Sequence, residues 1–550
     1  MKIGVFLAIL WCFLPAPAQC QSVSATEINR LVTPLCSADK PGIVVGVFDK
    51  GHVRYERACG AADLSNSIPI SISTKFEIAS MSKQFTAFAI LLLADRGKLA
   101  IDAPLSNYLD LLQWARRTTL RQLLWHTSGV RDYLDLMDLA GWKPYDSVIT
   151  QDDVLSIMES QTDLNFTPGQ AFLYENTSYA LMPFVVTKVT GLPFQHFMSD
   201  NVFANLGMSA TTFPDSHGEI INGAARGYTQ SSQTGSWFSA TPIYDEVGDG
   251  GLWTNLADLQ KWDEMFYAQS KFANLARQMQ TSGTLNDGTP TGYGFGLFVG
   301  TYDGQIMISH GGVDPGFRAQ MLRFPESHLT IVALANHDDA PVEKLTRQIA
   351  DLFFGSAVRK SPANGPVTAD EARAALGTFL DPAGRIRTFR YDHGLLTITG
   401  TGDSGLLLSY QSPGRFRAGD ATFLFSNRSG GRVMVRQEGA ASDAFVELPS
   451  HFVPTPSRAI VGSYYSSALK VHFAVTERGH SLWLIAPRRD PLEMTPLNVA
   501  TFLTDLGLLV FSPTNGRAEQ MNLSNVRDQN IVFHADSACS KAQPIYFRAL

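Results

Sequence analysis

Residues 77–99 read EIASMSKQFTAFAILLLADRGKL, with Ser80 and Lys83 three apart at the head of a long apolar run. As a plain helix start, the serine caps and the lysine snorkels to the surface. As chemistry, the same pair is a hydroxyl nucleophile beside its proton acceptor. At i and i+3 the two side chains share one helix face. An ammonium drawn into so apolar a mouth loses hydration, which favours the neutral amine. The N–H of Ser80, near the positive end of the helix it opens, favours a developing oxyanion. Ser-x-x-Lys also occurs at Ser37/Lys40 and Ser467/Lys470, where no further motif accompanies it. The surrounding chain must therefore decide.

Two further motifs complete a site. Tyr174-Glu175-Asn176 is the only Tyr-x-Asn in the chain, and His310-Gly311-Gly312 the only His-x-Gly. A tyrosine set against Ser80 and Lys83 is a general base whose phenolate is favoured by ammonium charge. Asn176 offers an amide to a substrate carbonyl. Gly312 permits close substrate approach at the end of a strand, and the next N–H, that of Val313, completes an oxyanion hole. His126 reads as a structural hydrogen-bonder and His337-Asp338-Asp339 as a solvated turn. Trp237, Phe238 and Trp253 read as core or cleft lining. No closely spaced metal ligands and no Gly-x-Ser-x-Gly elbow occur, so neither metal nor cofactor is expected.

Outward from these motifs the chain organises itself. SATE at residues 24–27 is a capping box before helically spaced Ile28, Leu31, Val32 and Leu35. PGIVVGVFDKGHVRYERACGAAD reads as two strands around an Asp49-Lys50-Gly51 turn. QIMISHGG, FRAQMLRFPE and LTIVALANHD read as three more strands, and PVEKLTRQIADLFFG as a helix between Pro341 and Gly355. The pattern predicts an α+β domain: an antiparallel sheet built from both ends of the region, flanked by helices, with a helical lobe inserted. Residues 356–370 read as a linker. Beyond them the composition turns to short strands and glycine turns, and it repeats. LGTF at Leu376 answers VGSY at Val461, TFLFS at Thr422 answers LLVFS at Leu508, and Gly431-Arg432 answers Gly516-Arg517. The constant offset predicts two small antiparallel barrels, each with its own core.

The whole chain sets the class. It has 550 residues, 45% hydrophobic and 17% charged, with a formal net charge of -7. That is a multidomain globular protein without the basic stripe of a nucleic-acid binder. Residues 1–18 read as a secretory signal: Lys2, the apolar IGVFLAILWCFL, and Ala16-Pro17-Ala18 before the cut. Gln19 disfavours a lipoprotein anchored at Cys20. The expected location is periplasmic or secreted, with no membrane anchor after cleavage. Cys20, Cys36, Cys59 and Cys539 then remain for disulfides, in any of three full pairings. The expected domains are 19–358, 368–452 and 456–550.

Taken together, these residues resemble the serine β-lactamase and penicillin-binding protein superfamily, in its class C-like branch. LLWHTSGVRDY (123–133), FTPGQAFLYENTSYAL (166–181), GDGGLWTNLADLQKW (248–262) and GYGFGL (292–297) add to the three motifs in the family's order. The resemblance implies Ser80 as the acylated nucleophile and Lys83 as a proton shuttle. Tyr174 becomes the base, Asn176 a substrate ligand, and the N–H groups of Ser80 and Val313 the oxyanion hole. His310 departs from the family's usual lysine and resembles instead its D-aminopeptidase and esterase members. That group carries two C-terminal lipocalin-like barrels, one of which sends a loop toward the active site. The implied activity is hydrolysis of amides or esters through an acyl-enzyme, with D-residue peptides favoured. The substrates would be small molecules or short peptides, peptidoglycan-derived ones included. Esterase, weak β-lactamase and a non-enzymatic penicillin- or peptidoglycan-binding sensor are the alternatives. A free histidine titrates near about 6.5, so His310 is expected to be mostly neutral at pH 7, with Lys83 depressing its charge further and acid restoring it. It is also placed to help hold the Tyr174 hydroxyl.

Overall fold

The structure is a computed structural model. It describes residues 23–536 apart from 144–146, 268–269, 356–366, 382–384, 393, 401–405, 419–420, 429–430, 439–440, 449–457, 515–516 and 526. The signal segment, Cys20, Cys539, most of the linker and most of the inter-barrel connection lie outside the described residues.

Helix α1 (Ala25–Val32) begins with the capping box of Ser24 and Glu27. Strands β1 (Ile43–Asp49) and β2 (His52–Cys59) follow, joined by Lys50 and Gly51, both at positive φ. A two-residue turn of that hand matches the twist of a hairpin. Helix α2 (Lys83–Asp95) is buried along its whole length from Lys83 to Leu93, as its all-round apolar sequence requires. Helix α3 (Tyr133–Leu139) lies in the helical lobe, capped by Asp132. The chain then returns to the sheet through β3 (Phe298–Tyr302), β4 (Gln305–Asp314), β5 (Phe317–Phe324) and β6 (Leu329–Ala335). Helix α4 (Val342–Phe354) covers the sheet's outer face.

The sheet is antiparallel throughout, in the order β2-β1-β6-β5-β4-β3. First and last segments pair at its centre, β1 against β6, which closes the domain around the inserted lobe. Strand β3, unforeseen in the sequence, pairs only with the Gln305–Ser309 half of β4. Cys36 and Cys59 form a disulfide with Cα atoms 5.4 Å apart, which settles one pairing left open above.

Two closed eight-stranded barrels follow, from Gly377 to Glu447 and from Gly462 to Ala535. Their strands repeat in register: Gly377–Leu380 answers Gly462–Ser466, and Ala421–Arg428 answers Gly507–Thr514. The expectation of an independent core holds for the first barrel alone. Phe379, Phe389, Phe416, Phe423 and Phe445 form its own cluster. The second barrel's Tyr464, Phe473 and Phe533 belong to one apolar cluster with α2 and the helical lobe. The end of the expected linker is also helical, at Ala369–Ala372 under a Thr368 cap.

Candidate active site

Ser80 sits in a 3-10 turn, Ala79–Ser82, and α2 itself begins only at Lys83. This corrects the reading in which Ser80 opens the α-helix. The turn is held in a costly shape, with Ala79 at φ 48. Glu77 secures it: one carboxylate oxygen accepts the Ala79 N–H at 2.8 Å, the other the Gly251 N–H at 2.9 Å. Strand β4 presses against the same turn. A Cβ on Gly312 would lie 2.1 Å from the Ile78 carbonyl oxygen, so only glycine fits there.

The Lys83 side chain is fully buried. Its Nζ donates to Ser80 Oγ at 3.1 Å, Asn176 Oδ1 at 2.8 Å and the Asp249 carbonyl at 3.0 Å. These three acceptors match the three donors of an ammonium. The same Nζ lies 5.1 Å from the Tyr174 ring centre. The Tyr174 hydroxyl is enclosed and meets no hydrogen-bond partner among the described residues. Asn176 turns its Nδ2 and its backbone N–H to Asp132 Oδ2, at 2.9 and 2.8 Å. One amide hydrogen of Asn176 therefore remains for a ligand.

His310 is placed differently from expectation. Its Nδ1 lies 2.6 Å from the Gly311 carbonyl and its Nε2 3.1 Å from the Tyr293 hydroxyl. A carbonyl only accepts, so Nδ1 carries the proton and Nε2 accepts from Tyr293. Tyr293, not Tyr174, is the hydroxyl His310 holds. Burial pushes its pKa down to about 3, with Lys83 a smaller contributor. The acid restoration of charge expected from its free value does not occur near neutral pH. His126 is buried, with Nδ1 3.3 Å from Glu175 Oε1. Burial raises Glu175 to about 8 and lowers His126 well below its ordinary value. Glu77, raised to about 7, and Glu246, Asp249 and Asp314, all raised, form a buried acidic floor. Burial is the leading cause for each.

Ser80, Tyr174, Asn176, His310, Gly312 and Val313 all line one cleft of about 2490 Å³. Val313 is 70% exposed there. Asp338 is no free turn: it accepts the Gly316 N–H at 2.8 Å and lies 3.3 Å from Arg318. Trp253 is core against Phe317, whereas Phe238 is exposed. Among the described residues no cluster suits a metal ion, and no helix is long and apolar enough to cross a membrane.

Sequence reading missed Asp132 and Arg527. Asp132 binds Asn176, caps α3 through the Leu134 N–H at 2.9 Å, and accepts Arg527 Nη1 at 3.0 Å. Arg527 comes from the second barrel, in the connection between its strands Arg517–Ser524 and Ile531–Ala535. Asp528 beside it accepts the Asp132 N–H at 2.8 Å, and Arg131 donates to the carbonyls of Gln529 and Asn530. The sequence signals were the LLWHTSGVRDY stretch at 123–133, which contains Asp132, and the barrel loop implied by the family resemblance.

A serine in a strained turn, a buried lysine on its Oγ and a tyrosine ring 5.1 Å from that lysine nitrogen come together on a β-lactamase-like fold. Residues 28–353 match the Beta-lactamase family, and the chain belongs to it. It is 25% identical over 516 residues to a D-aminopeptidase of Brucella canis, covering 90% of this chain and 92% of that one. To penicillin-binding protein 4* of Bacillus subtilis it is 27% identical over 320 residues, 56% of this chain and 70% of the relative. A solved penicillin-binding protein from Bacillus halodurans superposes with a TM-score of 0.52 at 28% identity, over 59% of this chain and 99% of that one. The chain is a serine hydrolase of this family, of the D-aminopeptidase-like type.

Proposed function

We propose that the protein acts outside the cytoplasm, forming an acyl-enzyme on Ser80 and cleaving amide or ester bonds, with D-residue peptides as favoured substrates. The observation that carries this reading is the 3.1 Å contact of Lys83 Nζ with Ser80 Oγ, with the Tyr174 ring centre 5.1 Å from the same nitrogen and its hydroxyl unpartnered among the described residues. Ser80 Oγ attacks the carbonyl carbon while Tyr174, beside the Lys83 charge, takes its proton. The N–H groups of Ser80 and Val313 receive the oxyanion. The intermediate then collapses, the C–N or C–O bond breaks, and Tyr174 returns a proton to the leaving group. Water, deprotonated by the same tyrosine, releases the acid and restores Ser80. The similarity to D-aminopeptidases over most of the chain supports the substrate class. The signal-like sequence at residues 1–18 supports the location.

The test is a panel of D-alanyl anilide, L-alanyl anilide, a short-chain ester and a chromogenic cephalosporin, run beside Ser80→Ala. The expected result is D-anilide turnover above the other three, falling by at least about a thousandfold in the variant. Turnover that survives Ser80→Ala overturns the nucleophile, and preference for the L-anilide overturns the substrate class.

A further inference from the structure

We propose that Arg527 forms a carboxylate-binding subsite beside Ser80, so that preferred substrates carry a carboxylate close to the scissile bond. The proposal rests on the reading of Ser80 as the nucleophile.

Arg527 lines the same cleft as Ser80, Tyr174 and His310, although it lies in the second barrel. Its side chain is 33% exposed. Only one arm of the guanidinium is committed: Nη1 donates to Asp132 Oδ2 at 3.0 Å. Nε and Nη2 make no side-chain hydrogen bond among the described residues. Those two positions form the edge of the fork that pairs with a carboxylate through two parallel bonds. The Asp132 carboxylate holds the guanidinium firmly in its charged form.

Three other basic side chains at this site, Lys83, His310 and Arg318, are not offered to a ligand. Lys83 is sealed beneath Ser80 by its three acceptors. His310 is neutral, with both ring nitrogens occupied. Arg318 donates to the carbonyls of Asp314 and Phe317 and pairs with Asp338. The acids facing this end of the cleft do not cancel Arg527. Glu77, Glu246, Asp249 and Asp314 are all pushed toward the neutral form, as are Asp135 and Asp528 behind the arginine. Asp132 already accepts the backbone N–H and one amide N–H of Asn176 and the N–H of Leu134. The second barrel thus supplies the charge that the strand position of His310 does not.

Matched substrates test this. D-alanyl-D-alanine against D-alanyl-D-alaninamide places the carboxylate on the leaving side. The p-nitroanilides of D-glutamate and D-glutamine place it on the acyl side. In one pair the carboxylate member is expected to have the higher kcat/KM by about ten- to hundredfold, the range of a charge-assisted bidentate contact. Arg527→Gln should erase that ratio, and Arg527→Lys should restore part of it. The same ratio should appear in Kd measured by calorimetry on Ser80→Ala protein, which needs no turnover. Equal losses for both members in Arg527→Gln would overturn the proposal and leave Arg527 as a support for Asp132. So would the absence of any carboxylate preference in both Kd and kcat/KM. Hydrolysis that persists in Ser80→Ala would instead overturn the nucleophile assignment, and the binding ratios would still judge Arg527.

Discussion

The two C-terminal barrels share strand number, closure and register, yet the molecule uses them differently. The first packs its phenylalanines into a core of its own and reaches the cleft with Arg385, Arg417 and Arg436. The second merges its core with that of the catalytic domain. Gln161 donates to the Ala468 carbonyl at 2.9 Å, and Asn165 exchanges bonds with Arg527 and Gln529 at 2.6 and 2.8 Å. Through Arg527, Asp132 and Asn176 it is connected to Lys83 by hydrogen bonds of 2.8 to 3.0 Å. A duplicated fold therefore does not imply a duplicated role. What separates the copies is the chemistry of the second barrel's connections, above all the one between its last two strands.

Core substitutions in the two barrels break this comparison most severely. Phe389 and Phe473 are both buried, and either change to alanine should cost about 3–5 kcal/mol locally. Phe389→Ala should lower the melting of the first barrel while hydrolysis stays within about twofold of the parent. Phe473→Ala should lower the melting of the catalytic domain and hydrolysis together, because its cluster contains α2. Calorimetric scans beside activity assays read both. Equal effects of the two variants on hydrolysis would mean that the barrels are equivalent after all.

A smaller effect comes from pH. Asp528 and Asp135 sit where the second barrel meets α3, and burial raises both, Asp135 to about 7. A carboxyl raised in the folded state binds more protons there than in the unfolded chain, so its contribution is present below about pH 4 and lost as pH rises through the folded value. Asp528→Asn removes one of these protons from the balance. The thermal midpoint of the variant should fall less steeply than that of the parent between pH 5 and 8. An unchanged or steeper slope would show that Asp528 is ionised in the interface. His310 runs the other way, losing stability only as pH falls from about 6.5 toward 3.

Local signals in the sequence carried most of the catalytic domain. Ser24 and Glu27 announce α1, the Lys50-Gly51 turn fixes the β1–β2 hairpin, and the constant offset announces both barrels. Ser80, Lys83, Tyr174, Asn176 and His310 were each visible as motifs and converge on one cleft. What stayed hidden depends on contacts distant in sequence. Arg527 and Asp132 are 395 residues apart; Arg527 stands in no motif, and Asp132 sits inside the stretch at 123–133 with nothing local to mark its partner. The environment of His310 was hidden for the same reason. Its free value near 6.5 is a property of the residue, whereas its neutrality comes from burial, with the Lys83 charge adding to it. The merged core of the second barrel was hidden because strand alternation shows which face is apolar without showing what covers it.

The central claim is that Ser80 is the acylated nucleophile, with Lys83 and Tyr174 serving it. Rapid-quench mass spectrometry after mixing with a D-alanyl p-nitrophenyl ester tests it directly. The account predicts a transient mass gain of one D-alanyl group, mapping to the peptide that contains Ser80, absent in Ser80→Ala and slower to form in Tyr174→Phe. Full turnover with no adduct at any quench time in a deacylation-slowed variant, or an adduct on another residue, would contradict it.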